Sequence, residues 1–229
     1  MKTIGVLGGM SWESTALYYK QLNELVRTHK GGLHSADILM RSVDFAPIAQ
    51  MQKDGAWDEA GALLADYANG LEQAGAEFLV LATNTMHLVA PQIEAATNIP
   101  LLHIADSTAA ALKEDGFERV GLLGTAFTME KPFLIDRLQS HGLDIVVPEV
   151  DRTNLNAIIF DELCRGIISD QSRTTYQRAI EGMVARGAEA VILGCTEITL
   201  LISDEDRPIP TYDSTDLHVK AAVAHMLAS

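Results

Sequence analysis

Short apolar runs alternate with longer stretches of helical apolar spacing from one end of the chain to the other. Continuous apolar runs suit strands of a parallel sheet buried on both faces, and the helical stretches between them supply the crossovers. The pattern predicts strands at Thr3–Leu7, Ala36–Ser42, Phe78–Ala82 and Leu101–Ile104. A second set follows at Arg119–Leu123, Asp144–Val147, Ala190–Leu193 and Ile209–Tyr212. Helices are predicted over Trp12–Thr28, Trp57–Ala74, Met129–Ser140 and Ser172–Arg186, among others. The chain reads as α/β throughout.

The two sets of strands repeat each other. Gly75-Ala76-Glu77 runs through an apolar strand to Thr83-Asn84-Thr85, and Gly187-Ala188-Glu189 runs through a matching one to Cys195-Thr196-Glu197, at a constant offset of 112 residues. Ile4-Gly5-Val6-Leu7-Gly8-Gly9 is echoed by Val120-Gly121-Leu122-Leu123-Gly124-Thr125. Ile99-Pro100 leads to Asp106-Ser107-Thr108, and Ile209-Pro210 leads to Asp213-Ser214-Thr215, trios suited to starting helices. A duplication of this kind predicts two pseudo-symmetric domains, each a mainly parallel sheet flanked by helices, with equivalent strand ends facing across a cleft. The expected division is residues 1–98 with 208–229 for the first domain and 99–207 for the second.

Composition narrows the classes. Of the 229 residues 48% are hydrophobic and 21% charged, which describes a packed globular protein. No apolar stretch reaches the roughly 18 residues of a membrane span, and the apolar run after Met1-Lys2-Thr3 is too short for an export signal, so the expectation is cytoplasmic. A net charge of −14 disfavours nucleic acid and anionic membranes as partners. Two cysteines, Cys164 and Cys195, make no disulfide framework, and the seven His show no metal-ligand spacing, so no metal is expected.

In an open parallel sheet the ligand site lies beyond the carboxyl ends of the strands. Gly8-Gly9-Met10-Ser11, Thr83-Asn84-Thr85, Gly124-Thr125 and Cys195-Thr196-Glu197 all fall there. Each has a bland reading alone: a tight turn for Gly8-Gly9, a small buried hydrophobe for Cys195, helix caps for Asn84 and Thr85. Core packing does not require polar side chains at matched strand ends of both halves, and this favours function. A cysteine where a strand feeds a helix N-terminus is expected to have a lowered thiol pKa.

Across nearly its whole length the sequence resembles the cofactor-independent aspartate/glutamate racemases. The resemblance rests on Gly8-Gly9-Met10, on Asn84-Thr85-Met86-His87 and on Gly194-Cys195-Thr196-Glu197. It implies a cleft site between two α/β domains, a homodimer, an amino-acid substrate, no pyridoxal phosphate and no metal. It also implies proton transfer at an α-carbon, with Cys195 facing the α-hydrogen of the L-enantiomer and a second group serving the opposite face. Donors for the substrate carboxylate would be Asn84, Thr85 and Thr196, with Met10, Thr125 and Thr128 from the Gly-rich turns. Gln52 is a candidate for the substrate's side chain, and Glu197 and His87 for orienting the catalytic pair.

One departure stands out. The family's first-half motif is Cys-Asn-Thr, and this chain has Thr83-Asn84-Thr85. A threonine hydroxyl passes a proton on but holds no useful population of alkoxide, so Thr83 cannot replace a thiolate base. The implied reaction is lopsided: Cys195 deprotonates the L-enantiomer and the Thr83 side reprotonates. Arg41, Lys131 and Arg165 are the cations near strand or loop ends available to a distal carboxylate. Two alternatives stay open, a single-cysteine decarboxylase or cis–trans isomerase of the wider superfamily, and a degenerate binding protein.

Overall fold

The computed structural model describes residues 1–202 and 208–228. Its contacts divide the chain into two compact units, Met1–Ile104 with the chain from His218 on, and Ala105–Leu217. The first unit runs β1 (Ile4–Gly8), α1 (Trp12–Lys30), β2 (Ile38–Ser42), α2 (Phe45–Asp54), α3 (Trp57–Gln73) and β3 (Phe78–Leu81). A 3-10 turn (Thr85–Val89), α4 (Ala90–Ala96) and β4 (Leu101–Leu102) follow, and α5 (Ile104–Glu114) leads out of the unit. The second runs β5 (Arg119–Leu123), α6 (Ala126–Glu130), α7 (Pro132–Ser140), β6 (Asp144–Val146), α8 (Arg152–Ala157) and a π turn (Ile158–Glu162). It closes through a 3-10 turn (Leu163–Arg165), α9 (Asp170–Ala185), β7 (Ala190–Leu193), α10 (Ile198–Leu201), β8 (Thr211–Asp213) and the start of α11 (Ser214–Leu227).

Each unit holds one four-stranded sheet, ordered β2-β1-β3-β4 and β6-β5-β7-β8, and every pairing is parallel. The repeat in the sequence is therefore a repeat of topology, with β1 and β3 central in one sheet and β5 and β7 central in the other.

The apolar runs are buried on both faces, as parallel strands covered by helices must be. In the first sheet Val6, Phe78 and Val80 face Tyr18, Leu22 and Val26 of α1 and Val219, Ala222, Val223 and Met226 of α11. Leu7, Leu79 and Leu81 alternate to the other side and pack with Ile48, Leu64, Ala68 and Ile93 of α2, α3 and α4. Each fully buried large aliphatic side chain contributes about 1.5–3 kcal/mol. In the second unit Leu123, Val191 and Leu193 share a cluster with Leu155, Tyr176, Ile180 and Met183.

The matched glycines of the repeat have a packing cause. A Cβ on Gly5 would lie 2.7 Å from Leu79 Cδ2, and one on Gly121 would lie 2.9 Å from Met183 Sδ and 3.0 Å from Val191 Cγ2. At the strand ends, Gly8 makes room for Thr15 and Gly124 for Thr128, where a Cβ would come within 2.4 and 2.8 Å of the threonine methyls.

Strand pairing moves the expected domain boundary. β4 pairs with β3 and so belongs to the first unit, while β8 pairs with β7 and belongs to the second. The chain leaves the first unit at Ile104 rather than at 98 and returns at His218 rather than 208; residue 207, where the expectation closed the second domain, lies outside the described residues. The predicted helix Met129–Ser140 is two helices, α6 and α7, broken at Lys131 (φ −88°, ψ 141°). Pro132 forces this, because the residue before a proline is pushed out of the helical region. The two Asp-Ser/Thr trios also diverge. Asp213 Oδ1 accepts from the Thr215 N–H at 2.8 Å and starts α11. Helix α5, in contrast, already begins at Ile104, and Asp106 lies in its first turn with its carboxylate held by Arg137 and His141.

Candidate active site

Strand β1 ends in a turn that only glycine permits. Gly9 has φ 93°, and a Cβ there would meet the Val43 backbone N and O at 2.3 Å. The Gly9 N–H donates to Thr15 Oγ1 at 2.7 Å, and the Val43 N–H donates to the Gly8 carbonyl at 3.0 Å. Met10 follows with its side chain 4% exposed, in the cluster that includes Leu7, Ile48 and Met86. Its side chain is core rather than free to meet a ligand.

Beside it, β3 delivers Thr83, Asn84 and Thr85, all partly buried. The Thr83 N–H donates to the Leu81 carbonyl (2.9 Å) and the His87 N–H to the Asn84 carbonyl (3.1 Å), which tightens the chain into the 3-10 turn. His87 Nδ1 lies 2.8 Å from the Thr83 carbonyl oxygen, and His87 Nε2 lies 3.3 Å from the Ile104 backbone N. A carbonyl only accepts and a backbone N–H only donates, so Nδ1 carries the hydrogen and Nε2 is bare. Burial and the neighbouring His103 and His218 hold the His87 pKa well below its ordinary value, in agreement with that neutral tautomer. Gln52, half-buried on α2, donates from Nε2 to Met86 Sδ at 2.9 Å. The structure thus brings Gln52 to the Asn84-Thr85-Met86-His87 turn.

In the second unit β5 ends at Gly124-Thr125. Thr125 caps α6, its Oγ1 accepting from the Thr128 N–H. Thr128 is fully buried, with its Oγ1 3.2 Å from Thr125 Oγ1 and its methyl against Gly124 and Gly194. Its hydroxyl serves the turn, and the solvent-facing member of the pair is Thr125. The Ala126 N–H of the same loop donates to Asn156 Oδ1 at 2.8 Å.

Strand β7 delivers Cys195, Thr196 and Glu197, again partly buried. The Cys195 thiol donates to Glu197 Oε2 at 2.9 Å, and the Thr196 hydroxyl donates to the same oxygen at 2.7 Å. Burial first and the Glu197 charge second push the thiol well above its ordinary pKa. This overturns the expected lowering. Helix α10 begins only at Ile198 and is four residues long, too short and too far along to outweigh burial and an adjacent carboxylate. Cys195 rests as a thiol with a proton acceptor already attached.

The three candidate cations are all exposed. The Arg41 guanidinium lies over the Tyr67 ring at 4.5 Å, Arg165 sits 3.8 Å from Asp161, and Lys131 precedes Pro132 at the start of α7. Among the described residues no group of His, Cys, Asp and Glu is placed to hold a metal ion, and no helix is long and apolar enough to cross a membrane.

Sequence reasoning passes over His103 and His218, whose rings pack on His87 at 4.4 and 5.9 Å between centroids. The signal was present: His218 occupies an apolar register of α11 together with Ala222 and Met226, all 0% exposed.

The chain belongs to the Asp/Glu/hydantoin racemase family, whose family model matches residues 7–222. A solved Yersinia pestis protein provisionally named an Asp/Glu racemase is 49% identical, with all of both chains covered and a TM-score of 0.96. An aspartate racemase homologue from Pyrococcus horikoshii OT3 is 33% identical over the whole of both chains, with a TM-score of 0.88. The broad specificity amino-acid racemase RacX of Bacillus subtilis is 23% identical over 226 residues, covering 98% of each chain.

Proposed function

We propose that this chain is an amino-acid racemase that works without pyridoxal phosphate, acting on L-aspartate, L-glutamate or a close relative. The observation that carries the reading is the Cys195 thiol hydrogen-bonded to the Glu197 carboxylate at the end of β7, matched by Thr83 at the equivalent end of β3. Glu197 takes the thiol proton, and the resulting thiolate removes the α-hydrogen of the L-enantiomer. The electron pair left on the α-carbon spreads into the substrate carboxylate. Donors that strengthen as that charge grows lower the barrier; Asn84 and Thr85 supply them with the Met10 N–H, and the Thr196 hydroxyl joins them once protonation of Glu197 releases it from that carboxylate. The Thr83 hydroxyl, or a water it holds, returns a proton to the opposite face. Thr83 is no base, so abstraction from the D-enantiomer is the slower chemical step, with the ratio of kcat/KM values kept at unity by the equilibrium between free enantiomers. Gln52 is assigned to the substrate's side chain. The homodimer and the cytoplasmic location are carried by the family resemblance alone.

The test is α-proton exchange in deuterated buffer, followed by NMR with L- and D-aspartate and L- and D-glutamate. Wash-out from an L-substrate that disappears in Cys195→Ala supports the assignment, and no Cys195-dependent exchange with either acid overturns it. The raised thiol also favours a second reading, a decarboxylase in which Cys195 protonates a carbanion left by departing CO2. That enzyme would release CO2 from a malonate-type acid and leave amino-acid α-protons in place.

A further inference from the structure

A directed hydrogen-bond chain crosses the interior of the first unit and ends on Thr83. Tyr18 Oη on α1 lies 2.7 Å from His218 Nδ1 on α11, and His218 Nε2 lies 2.8 Å from the Leu102 carbonyl at the end of β4. Two residues on, the Ile104 N–H reaches His87 Nε2, and His87 Nδ1 reaches the Thr83 carbonyl. The backbone groups fix the ring nitrogens that face them. The Leu102 carbonyl requires a hydrogen on His218 Nε2, and the Tyr18 hydroxyl pairs with Nδ1. The Ile104 N–H requires a bare Nε2 on His87, so Nδ1 donates to Thr83. His87 is the neutral Nδ1–H tautomer, and Tyr18, His87 and His218 are at most 2% exposed. A buried hydrogen-bonded network specifies its surroundings strongly.

We infer that His218 and Tyr18, acting through Leu102–Ile104 and His87, are positioning residues for the Thr83 face of the reaction. The chain holds the two residues between which the first unit is left and re-entered, Ile104 and His218, to the same network that fixes the Thr83 turn. It does not involve Cys195, whose thiol is held separately by Glu197. Loosening the chain therefore affects delivery of a proton from the Thr83 side and spares abstraction by Cys195. The titratable groups that face His87 are His103 and His218, and Tyr18 adjoins His218.

The inference rests on the racemase reading, and one experiment separates the two. For wild type, His218→Leu and His218→Gln, L-aspartate wash-out in deuterated buffer is measured beside D-aspartate formation, with ring 15N spectra of His87. Leucine removes both hydrogen bonds of His218, whereas glutamine keeps a donor for the Leu102 carbonyl. The expected result for His218→Leu is D-product formation per wash-out event reduced about tenfold, the scale of one lost hydrogen bond, with wash-out itself within about twofold. His218→Gln recovers most of the ratio, and wild-type His87 shows the Nδ1–H tautomer. An equal fall on both faces in folded His218→Gln, or an Nε2–H or charged His87 in wild type near neutral pH, overturns the positioning role alone. Wild-type protein without Cys195-dependent exchange overturns the racemase reading and the positioning role together, whatever the tautomers.

Discussion

Glu197 Oε2 accepts a hydrogen bond from the Cys195 thiol at 2.9 Å, two residues along the same chain end, and this makes the carboxylate both a brake on the thiol's ionisation and its proton acceptor. Glu197→Gln removes the charge that opposes a thiolate, so more thiolate is present at a given pH. Alkylation of Cys195 by iodoacetamide at pH 8 is expected to accelerate, by about tenfold for each pKa unit recovered. Exposed Cys164 serves as the internal reference in the same digest. An unchanged Cys195/Cys164 ratio of labelling would show that burial alone sets the thiol pKa. Exchange of the L-substrate α-proton should fall in the same variant, since the amide cannot take up the thiol proton.

In the proposed mechanism the D-face is served by Thr83, and a thiol at that position supplies the missing base. Thr83→Cys is expected to raise the maximal rate of α-proton wash-out from the D-enantiomer by on the order of 10²-fold, the usual worth of a positioned acid–base group. L-face wash-out should stay within a few-fold. Thr83→Ala, tested beside it, should lower D-product formation and leave L-substrate wash-out in place. A Thr83→Cys protein with no gain on the D-face would mean that the reprotonating group is not at position 83.

Much of the architecture was legible because buried parallel strands are unbroken apolar runs, and all eight run where those runs lie. The repeat was legible because its glycines are dictated by packing: Gly5 and Gly121 sit in the central strands under bulky neighbours, so both halves had to keep them. What escaped depends on pairing and burial, which periodicity does not encode. Leu101-Leu102 and Thr211-Tyr212-Asp213 look alike as edge strands, and only their partners, β3 and β7, reveal where each domain ends. At the site, residue type pointed to the right segments but not to side-chain direction. Met10 and Thr128 turn inward, and Cys195 faces a carboxylate rather than a helix terminus. The burial of His218 was legible in the apolar register of α11, but its partner carbonyl, Leu102, lies 116 residues away in sequence, and periodicity does not encode that pairing.

The glycine argument carries its own test. Gly121→Ala places a methyl within 2.9–3.1 Å of Met183 and Val191 in the core, an overpacking expected to cost about 1–3 kcal/mol. Gly182, inside α9, has nothing within 4 Å of the position an alanine methyl would take and no left-handed backbone. Gly182→Ala is expected to stabilise by about 0.5–1 kcal/mol through its effect on the unfolded chain and helix propensity. Urea denaturation of the two variants should therefore give shifts of opposite sign, and a stabilising Gly121→Ala would show that β5 and α9 have room to spare.

The neutral His87 gives the fold a pH dependence whose sign follows from its surroundings. Burial, His103 and His218 lower its pKa in the folded protein, while the unfolded chain titrates near 6.5. Below pH 6.5 the unfolded state binds a proton that the native state refuses, so stability rises with pH across that interval and falls on acidification towards the folded pKa. The contribution is fully present above about pH 7 and is lost with a slope of up to about 1.4 kcal/mol per pH unit for this one group. His87→Asn retains a donor for the Thr83 carbonyl and does not titrate. Its urea midpoint, measured from pH 7.5 down to pH 5, is expected to decline less steeply than that of wild type by up to that slope. Parallel curves for the two proteins would show that His87 takes up its proton in the folded state as readily as in the unfolded one, and the directed chain from Tyr18 to Thr83 would then lose its strict orientation.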